Sequence, residues 1–326
     1  MAQITKKIEL AKAFLDAEEL VAIPTETVYG LAAKGVSTKA LKKIFEAKER
    51  PINNPLILHF KDIKSIAPFV SELTEEIHTL AEHFWPGPLT LLLPKSSQVP
   101  EIVTAGLERV AVRIPNHSKT LELLALLDYP LAAPSANPSG YISPTRPKHV
   151  ERLLGNKIPL ILDGGPCDSG IESTILGWEG NTPVIYRQGG IPMEDIEKVL
   201  GRKPRIHQKS EVLHTPGMSL SHYAPNTKTI VTKDILEHLQ HYHDRDQKVG
   251  LISFQKHPMA QKSIAKEIVL SKDGDLEEMA RKIYDAMHQL DSLGLDVLII
   301  ETAPEKGIGN AINDRLYRSA SINKDN

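Results

Sequence analysis

The segment AKERPINNPLILHF at 47–60 places cations and amides immediately before an apolar run that ends at a histidine. Lys48 and Arg50 lead into Asn54, and His59 lies at the far end of the run. Ammonium and guanidinium groups bind carboxylates and phosphates, while amides supply neutral hydrogen bonds. The segment therefore predicts one wall of an anion-binding pocket.

Further polar clusters follow other apolar runs along the chain. They are PTETVYG at 24–30, RVAVRIP at 109–115, APSANPSGYISPT at 133–145, DGGPCDSGIESTI at 163–175 and YRQGG at 186–190. Each cluster alone is typical of an ordinary turn. In open α/β sheets, however, ligands bind beyond the carboxyl ends of the strands, so the clusters together indicate a single pocket.

The charged groups of these clusters are mostly cations, and carboxylate partners are sparse in the same segments. The cations are Lys48, Arg50, Arg109, Arg113 and Arg187. The alternative interpretation is a rim of surface ion pairs, each of little energetic value. Gly/Ser loops can also turn backbone N–H groups toward an anion, so the pattern favours a pocket for a polyphosphate and a carboxylate. Neutral hydrogen-bonding groups are supplied by Thr25, Thr27, Ser135, Asn137, Ser173 and Thr174.

Length and composition limit the class of protein. At 326 residues, with 41 % hydrophobic and 25 % charged residues, the chain is typical of a globular protein with two domains. Its net charge of −2 does not suggest a nucleic-acid or membrane-surface binder. The single Cys167 is interpreted as a small buried thiol rather than a nucleophile, and it indicates a reducing, cytoplasmic location. Residues 1–20 are interpreted as an amphipathic helix that includes Ile4, and not as a signal peptide.

Strand and helix patterns alternate along the chain. The strand candidates are 20–23, 55–60, 89–94, 110–115, 130–135, 159–165 and 183–188, followed by 229–232, 248–254 and 296–301. Helices are predicted over 38–48, 73–84, 120–127, 235–243, 276–294 and 311–320, the first of them capped by Ser37 or Thr38. The alternation is typical of a mixed α/β sheet with helices on its faces.

A segment with little periodicity and several prolines divides the chain. It predicts a larger domain over 1–203, a linker or lid over 204–228, and a smaller parallel α/β domain, Rossmann-like, over 229–326. The sequence has no Walker A loop, and GIGNAI at 307–312 lacks the third glycine of the dinucleotide fingerprint. The histidines of HLQHYH at 238–243 are interpreted as a solvated helix end, so no metal site is predicted.

The motifs, taken in order, resemble those of a known family. PTETVYGL, K-x-R-P-x-x-x-P-L-x-x-H, WPGPLT, VRIP, APSAN-x-SG-x-x-SPT, DGG-x-x-x-x-G-x-EST and HYAP are similar to the motifs of two-domain threonylcarbamoyl-AMP synthases. The resemblance covers essentially the whole chain. It implies a YrdC-like twisted mixed sheet flanked by helices, followed by a smaller C-terminal α/β domain.

The resemblance also implies an activity. L-threonine, bicarbonate or CO2, and ATP with Mg²⁺ give L-threonylcarbamoyl-AMP and diphosphate, and the product passes to the machinery that makes N6-threonylcarbamoyladenosine in tRNA. One alternative is a YrdC-like protein that binds double-stranded RNA, which the net charge of −2 and the aromatic content of 5 % disfavour. Another is a carbamoyl-phosphate-dependent carbamoyltransferase, whose zinc fingers one cysteine cannot form.

Residue roles are implied by matching the family motifs position by position. The threonine-binding positions are Thr27, His59, Arg113, Ala133 and Ser173. The ATP-binding positions are Lys48, Arg50, Asn54, Arg109, Ser135, Asn137, Ser143, Arg187 and Tyr223. Within these sets Arg113 is implied to take the substrate carboxylate, and Lys48 and Arg50 to act at the reacting phosphate. Tyr223, in HYAP, is implied to reach over the nucleotide as part of a lid.

Overall fold

The computed structural model describes residues 1–207, 223–245, 247–256 and 264–320. These residues divide into two compact units. Unit 1 contains 1–139, 144–168 and 172–207, and unit 2 contains 140–143, 169–171 and the described residues from 223 onward. The predicted linker at 204–228 lies largely outside the described residues, and the domain boundaries given above stay a prediction. No pattern in the sequence indicated that 140–143 and 169–171 belong to the second unit.

Unit 1 is built from short strands and helices that mostly alternate. Its strands are β1 (Gln3–Thr5), β2 (Val21–Ile23), β3 (Gly30–Lys34), β4 (Ile57–His59), β5 (Leu89–Pro94), β6 (Arg109–Arg113), β7 (Leu131–Ala132), β8 (Leu160–Leu162), β9 (Thr174–Glu179), β10 (Thr182–Arg187) and β11 (Arg205–Ile206). Its helices are α1 (Ile8–Asp16), α2 (Thr38–Lys48), α3 (Ile63–Ile66), α4 (Glu75–Phe84), α5 (Glu101–Thr104), α6 (Ser118–Ala125), α7 (Pro147–Leu154) and α8 (Met193–Leu200).

The strands of unit 1 form one mixed sheet. Within the described part of the chain it has eleven strands in the order β1-β8-β2-β3-β7-β4-β6-β5-β9-β10-β11. Strand β4 is parallel to β6 and antiparallel to β7, while β5 is antiparallel to β6 and parallel to β9. The predicted mixed α/β class is confirmed.

Helix α2 carries the cationic segment on its last turn. Ser37 caps its first turn, because the Ser37 hydroxyl accepts a hydrogen bond from Ala40 N at 3.2 Å. The apolar face of the helix packs Leu41, Ile44 and Phe45 into the core beneath the sheet. Burial of that face fixes the helix against β3 and thereby sets where its carboxyl end, with Lys48, can lie.

The amino terminus differs from the prediction. Ile4 belongs to strand β1 rather than to a helix, and α1 begins only at Ile8. Strand β1 pairs in parallel with β8, with Ile4 in register with Ile161. Residues 3–5 form a strand because their backbone pairs with β8, which is distant in sequence. The spacing of apolar residues along the chain does not reveal such pairing.

Unit 2 has a smaller, entirely parallel sheet. Its strands are β12 (Lys228–Thr232), β13 (Val249–Ser253), β14 (Ile264–Val269) and β15 (Val297–Glu301), ordered β12-β15-β13-β14 among the residues that the structure describes. Its helices are α9 (Ile235–His243), α10 (Leu276–Asp291) and α11 (Ile308–Ala320). The predicted small parallel α/β unit is confirmed. No helix within the described ranges is long and apolar enough to cross a membrane.

Candidate active site

Two predicted threonine-binding residues lie side by side at the carboxyl ends of β4 and β6. These strands are parallel neighbours, and His59 is in register with Arg113. Both side chains are buried, so the interpretation as a rim of surface ion pairs is wrong for Arg113. Burial and the nearby charge of Arg113 lower the pKa of His59 to about 3, so its imidazole is neutral near pH 7.

The guanidinium of Arg113 joins three parts of the chain. Its Nη1 donates to Thr27 Oγ1 at 3.0 Å, and its Nε donates to Gly87 O at 3.2 Å. Its Nη2 lies 2.7 Å from Glu26 Oε1, in an ion pair whose angles fall outside hydrogen-bond geometry. Glu26 is also buried. Arg113 therefore has a buried carboxylate partner, which comes from a different segment of the sequence.

A second buried arginine lies beside Ser173. Arg187 donates from Nε and Nη2 to Ser173 O at 3.1 and 2.9 Å, and from Nη2 to Ser173 Oγ at 3.0 Å. Ser173 Oγ lies 2.7 Å from Thr90 Oγ1, on strand β5 next to β6. Arg187 and Ser173, which were predicted to bind different ligands, are thus directly hydrogen-bonded to each other.

The turn after β7 lies at the opposite end of β4. Because β7 is antiparallel to β4, its carboxyl end returns to the start of β4, where Ala133 N donates to Ile57 O at 3.1 Å. The polar clusters therefore do not all follow strands at one edge of the sheet, and their convergence on a single pocket stays a prediction. Asn54, in the loop before β4, and His59, the last residue of the strand, thus lie toward opposite ends of β4.

Lys48 fixes this turn from the end of α2. Its Nζ donates to Ser135 O and to Asn137 O, each at 2.5 Å. Asn137 Nδ2 in turn donates to Pro138 O at 2.9 Å. Burial, with a contribution from the charge of Arg50, lowers the pKa of Lys48 well below its ordinary value. The structure thus brings five of the predicted ATP-binding residues to one end of β4: Lys48, Arg50, Asn54, Ser135 and Asn137.

Arg50 organises the loop between α2 and β4. Its Nε donates to Asn54 O at 3.2 Å, and its Nη2 donates to Asn54 Oδ1 at 2.5 Å and to Pro55 O at 2.8 Å. Arg50 and Asn54 are both buried. Arg50 and Asn54 thus bond to each other, and the loop is folded around the guanidinium.

Arg109 does not join either cluster. It begins β6, whereas Arg113 ends the same strand. Its Nη1 donates to Trp178 O at 3.1 Å and to Tyr186 Oη at 2.9 Å, and its guanidinium lies 5.1 Å from the centroid of the Tyr186 ring. Its assignment to ATP stays a prediction.

Ser143 and Tyr223 belong to unit 2. The carbonyl of Ser143 lies 3.1 Å from His288 Nε2. Tyr223 is buried with a φ of +69°, in the left-handed region, and its ring stacks on Tyr284 with centroids 5.7 Å apart. The guanidinium of Arg315 lies 5.4 Å from the Tyr223 centroid. Both residues are packed inside unit 2, and their roles toward ATP stay predictions.

Two other sequence features have simpler outcomes. Cys167 is buried, and burial raises the pKa of its thiol, as expected of a structural cysteine rather than a nucleophile. His238 and His241 lie on α9, while the side chain of His243 is outside the described residues. In the part of the chain that the structure describes, no group of three or more His, Cys, Asp or Glu side chains could hold a metal ion.

Family comparisons account for both parts of the chain. Residues 13–189 match the family model described as "Telomere recombination", which groups Sua5, YciO and YrdC. Residues 191–321 match the model "Threonylcarbamoyl-AMP synthase, C-terminal domain". The chain belongs to the two-domain threonylcarbamoyl-AMP synthase family. The resemblance drawn from the motifs is confirmed.

Similar members of this family come from distant organisms. The threonylcarbamoyl-AMP synthase of Pyrococcus abyssi is 41 % identical over 96 % of this chain and 94 % of its own length. That of Bacillus subtilis is 40 % identical over 96 % and 93 %. The crystal structure of P. abyssi Sua5 complexed with L-threonine superposes with a TM-score of 0.91 at 39 % identity, covering 98 % of each chain.

Sequence reasoning missed Glu26, Thr90 and His117 as parts of this site. Glu26 is the one charged residue of PTETVYG, a motif that was expected to help bind an anion. A negative charge does not suit an anion site, and this mismatch was the signal in the sequence. Thr90 looked like an ordinary strand residue. His117 Nδ1 is buried without a hydrogen-bond partner among the described residues, and burial lowers the pKa of the imidazole. Its proximity to PTET depends on the fold, which local sequence does not encode.

Proposed function

We propose that this chain is an L-threonylcarbamoyladenylate synthase, which converts L-threonine, bicarbonate or CO2, and ATP into L-threonylcarbamoyl-AMP and diphosphate. Membership of the family over both parts of the chain supports this activity. The observation that carries it is the presence of buried basic side chains toward both ends of one strand: Arg113, the last residue of β6, beside the carboxyl end of β4, and Lys48 with Arg50 before its start.

The reaction requires two anions to approach each other. The threonine amine forms a bond to the carbon of CO2, giving a carbamate. A carbamate oxygen then attacks the α-phosphorus of ATP, and diphosphate leaves with the electrons of the broken P–O bond. This is nucleotidyl transfer, in which the protein acts by positioning and by stabilising charge. Fixed, buried guanidinium and ammonium groups are suited to that task because little water screens them.

We assign most of the site residues at the carboxyl end of β4 to threonine and most of those at its start to ATP. Threonine is bound by Thr27, His59, Arg113 and Ser173, with Ala133 contributing from the start of β4. The P. abyssi relative, which is complexed with L-threonine, supports threonine as the ligand. ATP is bound by Lys48, Arg50, Asn54, Ser135 and Asn137, with Arg109, Ser143, Arg187 and Tyr223 as further contacts.

Mg²⁺ enters this proposal as part of the ATP substrate. The polar side chains near the start of β4 are basic groups and amides, and the backbone carbonyls of Ser135 and Asn137 accept hydrogen bonds from Lys48. These groups do not form a cage for a divalent cation, which in nucleotide enzymes is held largely by phosphates and water. We therefore derive no catalytic step through a protein-bound metal.

The product is a labile mixed anhydride, which suits immediate use by another enzyme. We propose that it serves N6-threonylcarbamoyladenosine formation in tRNA, in the cytoplasm, through transfer machinery that receives it from this enzyme. A segment around Tyr223 that closes over the nucleotide would protect both the carbamate and the product from water.

A diphosphate-release assay tests the proposed function. The full chain is incubated with ATP, Mg²⁺, L-threonine and bicarbonate, and each substrate is omitted in turn. We expect release only when all substrates are present, together with a product whose mass is that of L-threonylcarbamoyl-AMP. Diphosphate release that does not depend on threonine would refute the proposal.

A further inference from the structure

Glu26 is a buried carboxylate at the centre of the threonine end of the site. It stands between Thr25 and Thr27 and is 6 % exposed. Its Oε1 lies 2.7 Å from Nη2 of Arg113, whose Nη1 donates to Thr27. The expected roles of the site residues, as implied by the family motifs, do not include Glu26.

The hydrogen-bonding capacity of Glu26 is largely unused by the chain itself. Within the described residues neither carboxylate oxygen has a hydrogen-bond partner, although Oε1 has the ionic contact with Arg113. The hydroxyl of the adjacent Thr25 is turned away, because it donates to Val28 O at 2.7 Å or to Thr27 Oγ1 at 2.8 Å. A carboxylate has about four lone-pair positions, so Glu26 retains capacity for donors that a ligand brings.

The ion pair changes what this end of the site can bind. Arg113 alone would attract any carboxylate, but Glu26 neutralises its charge at 2.7 Å and repels a second carboxylate. The pair presents a positive group beside a negative one. The complementary ligand is a zwitterion, with a carboxylate for Arg113 and an ammonium for Glu26.

We propose that Glu26 binds the ammonium group of the amino-acid substrate and accepts its first proton. The inference rests on the proposed function and assigns the proton acceptor for that reaction. A proton passes from the ammonium nitrogen to a carboxylate oxygen of Glu26, and the N–H bonding pair remains on nitrogen as the lone pair that attacks CO2. The adduct of the amine with CO2 then loses a second proton from its nitrogen to water, which gives the carbamate. Glu26 returns the first proton to solvent after the products leave.

The other titratable groups around Glu26 do not compete for this role. Its electrostatic neighbours are Arg113 on β6, His117 after that strand, and Cys167 in the loop after β8. The carboxylate of Asp168 interacts electrostatically with His117 and Cys167. Burial lowers the pKa of His117 and raises that of Cys167, so both are neutral near pH 7. Glu26 and Arg113 are therefore the opposite charges available to a zwitterion there.

The first test measures binding without ATP, by isothermal titration calorimetry. The probes are L-threonine and 2,3-dihydroxybutyrate of matching stereochemistry, in which a hydroxyl replaces the ammonium. We expect the unsubstituted protein to prefer threonine by about tenfold or more, and Glu26→Gln to reduce that preference below about threefold. Glu9→Gln, which removes an exposed carboxylate from α1, should keep the full preference.

The second test is kinetic and separates proton acceptance from packing. Glu26→Gln should lower kcat for diphosphate release at neutral pH by about 10²-fold or more. The deficit relative to the unsubstituted protein should shrink as the pH rises toward the pKa of the free threonine amine, because solvent then removes the proton. Glu26→Asp, which keeps the charge, should retain the preference for threonine.

The outcomes distinguish this inference from the proposed function. If the unsubstituted protein binds 2,3-dihydroxybutyrate as tightly as threonine, or Glu26→Gln keeps the full preference, the role of Glu26 is overturned while the synthase activity stands. A pH-independent deficit would overturn proton acceptance. If the unsubstituted protein neither binds threonine nor releases diphosphate, the proposed function itself fails. If circular dichroism shows that Glu26→Gln does not fold, the relative affinity of the unsubstituted protein for the two ligands still tests the role of Glu26.

Discussion

Arg113 holds together the threonine end of the site, and its fork geometry is the feature to test. Arg113→Lys keeps the charge but cannot bond Gly87, Thr27 and Glu26 at once. We expect the KM for threonine to rise at least about tenfold, with the KM for ATP changed less than about threefold, because the altered contacts are all at the threonine end. Steady-state diphosphate release measures both constants.

The control for that substitution is Arg202→Lys, on an exposed ion pair with Glu76. Its kinetic constants should match those of the unsubstituted chain. Equal increases of both KM values in Arg113→Lys would contradict the division of the site between the two ends of β4.

His59 should make the stability of the protein depend on pH. Its pKa is lowered to about 3 in the folded chain, from about 6.5 when unfolded, so between these values the unfolded state binds the extra proton. Stability from this group is complete above about pH 6.5 and is lost as the pH falls, by up to about 1.4 kcal/mol per unit. Urea unfolding at pH 7, 6 and 5 should show a smaller decline for His59→Asn than for the unsubstituted protein.

The exposed His78 supplies a matched control, because His78→Asn removes an imidazole that lies at the surface. That variant should keep the decline of the unsubstituted protein. If His59→Asn also keeps it, the neutral imidazole of His59 does not contribute to the acid sensitivity of the fold.

Residue types in the site could be predicted from the sequence, but their pairings could not. Lys48, Arg50 and Asn54 stand together in one motif, and the structure brings them together. Glu26 and Arg113 are far apart in sequence, and only the fold makes them an ion pair. Local patterns carry the chemistry of a side chain, whereas its partner depends on long-range packing.

At the scale of elements, the positions of strands could be predicted from the sequence better than their directions in the sheet. Alternating apolar runs predicted β4, β5, β6 and β10 near their observed positions. The sequence missed β3, whose GLAAK lacks β-branched residues, and it could not show that β7 runs antiparallel to β4. That direction places the Ser135 turn beside Lys48 instead of beside His59. Strand order and direction are set by tertiary pairing, which periodicity does not report.

The cap of α2 offers a test in which stability and kinetics should separate. Ser37→Ala removes the hydroxyl that accepts from Ala40 N and donates to Glu18 Oε1 at 2.7 Å. We expect a loss of about 1 kcal/mol in the free energy of unfolding. Both KM values should remain unchanged, because the cap is at the far end of the helix from Lys48.

Ser37→Thr keeps a hydroxyl at the cap and serves as the matched control. Chemical denaturation should place it close to the unsubstituted protein. A large change of the KM for ATP in Ser37→Ala would mean that the position of α2 as a whole, and not only its last turn, governs the site.

Substitution of Tyr223 tests the proposed lid. Tyr223→Ala removes a ring stacked on Tyr284 and adjacent to Arg315, so unit 2 should lose about 3–5 kcal/mol of stability. If the lid exists, the KM for ATP also rises, while unit 1 remains folded by limited proteolysis. Tyr223→Phe keeps the stack and should preserve stability. Kinetics of Tyr223→Ala indistinguishable from those of the unsubstituted chain would remove the lid from the proposal.

At the scale of the whole molecule, unit 2 is completed by segments from early in the sequence. Tyr141 donates a hydrogen bond to Asp291 Oδ2 at the end of α10, and Ala224 N donates to Gly140 O at 2.9 Å. Gly170 lies so close to α10 that a Cβ there would be 2.4 Å from Ala280 O. These contacts explain why a boundary drawn by composition alone cannot describe unit 2.

The bond between Tyr141 and Asp291 should contribute measurably to unit 2. Tyr141→Phe removes the donor and leaves a half-buried carboxylate with fewer partners, so we expect a loss of about 1–3 kcal/mol. Hydrogen exchange of the α10 amides would report it. The control is Tyr317→Phe, which removes a hydroxyl from a residue of α11 that is 51 % exposed. It should leave the exchange rates unchanged. Equal exchange in both variants would show that the upstream segment adds little.

The membership of 140–143 and 169–171 in unit 2 also bears on how such a chain can be recombined. A chimera that grafts only residues 223–320 from a relative would combine a foreign α10 with the resident Tyr141 and Gly170, and any difference between the two proteins at these contacts would have no compensating change. A compatible exchange has to carry three separate stretches together. The C-terminal unit therefore cannot be exchanged as one continuous segment, and Tyr141 and Asp291 have to be exchanged together.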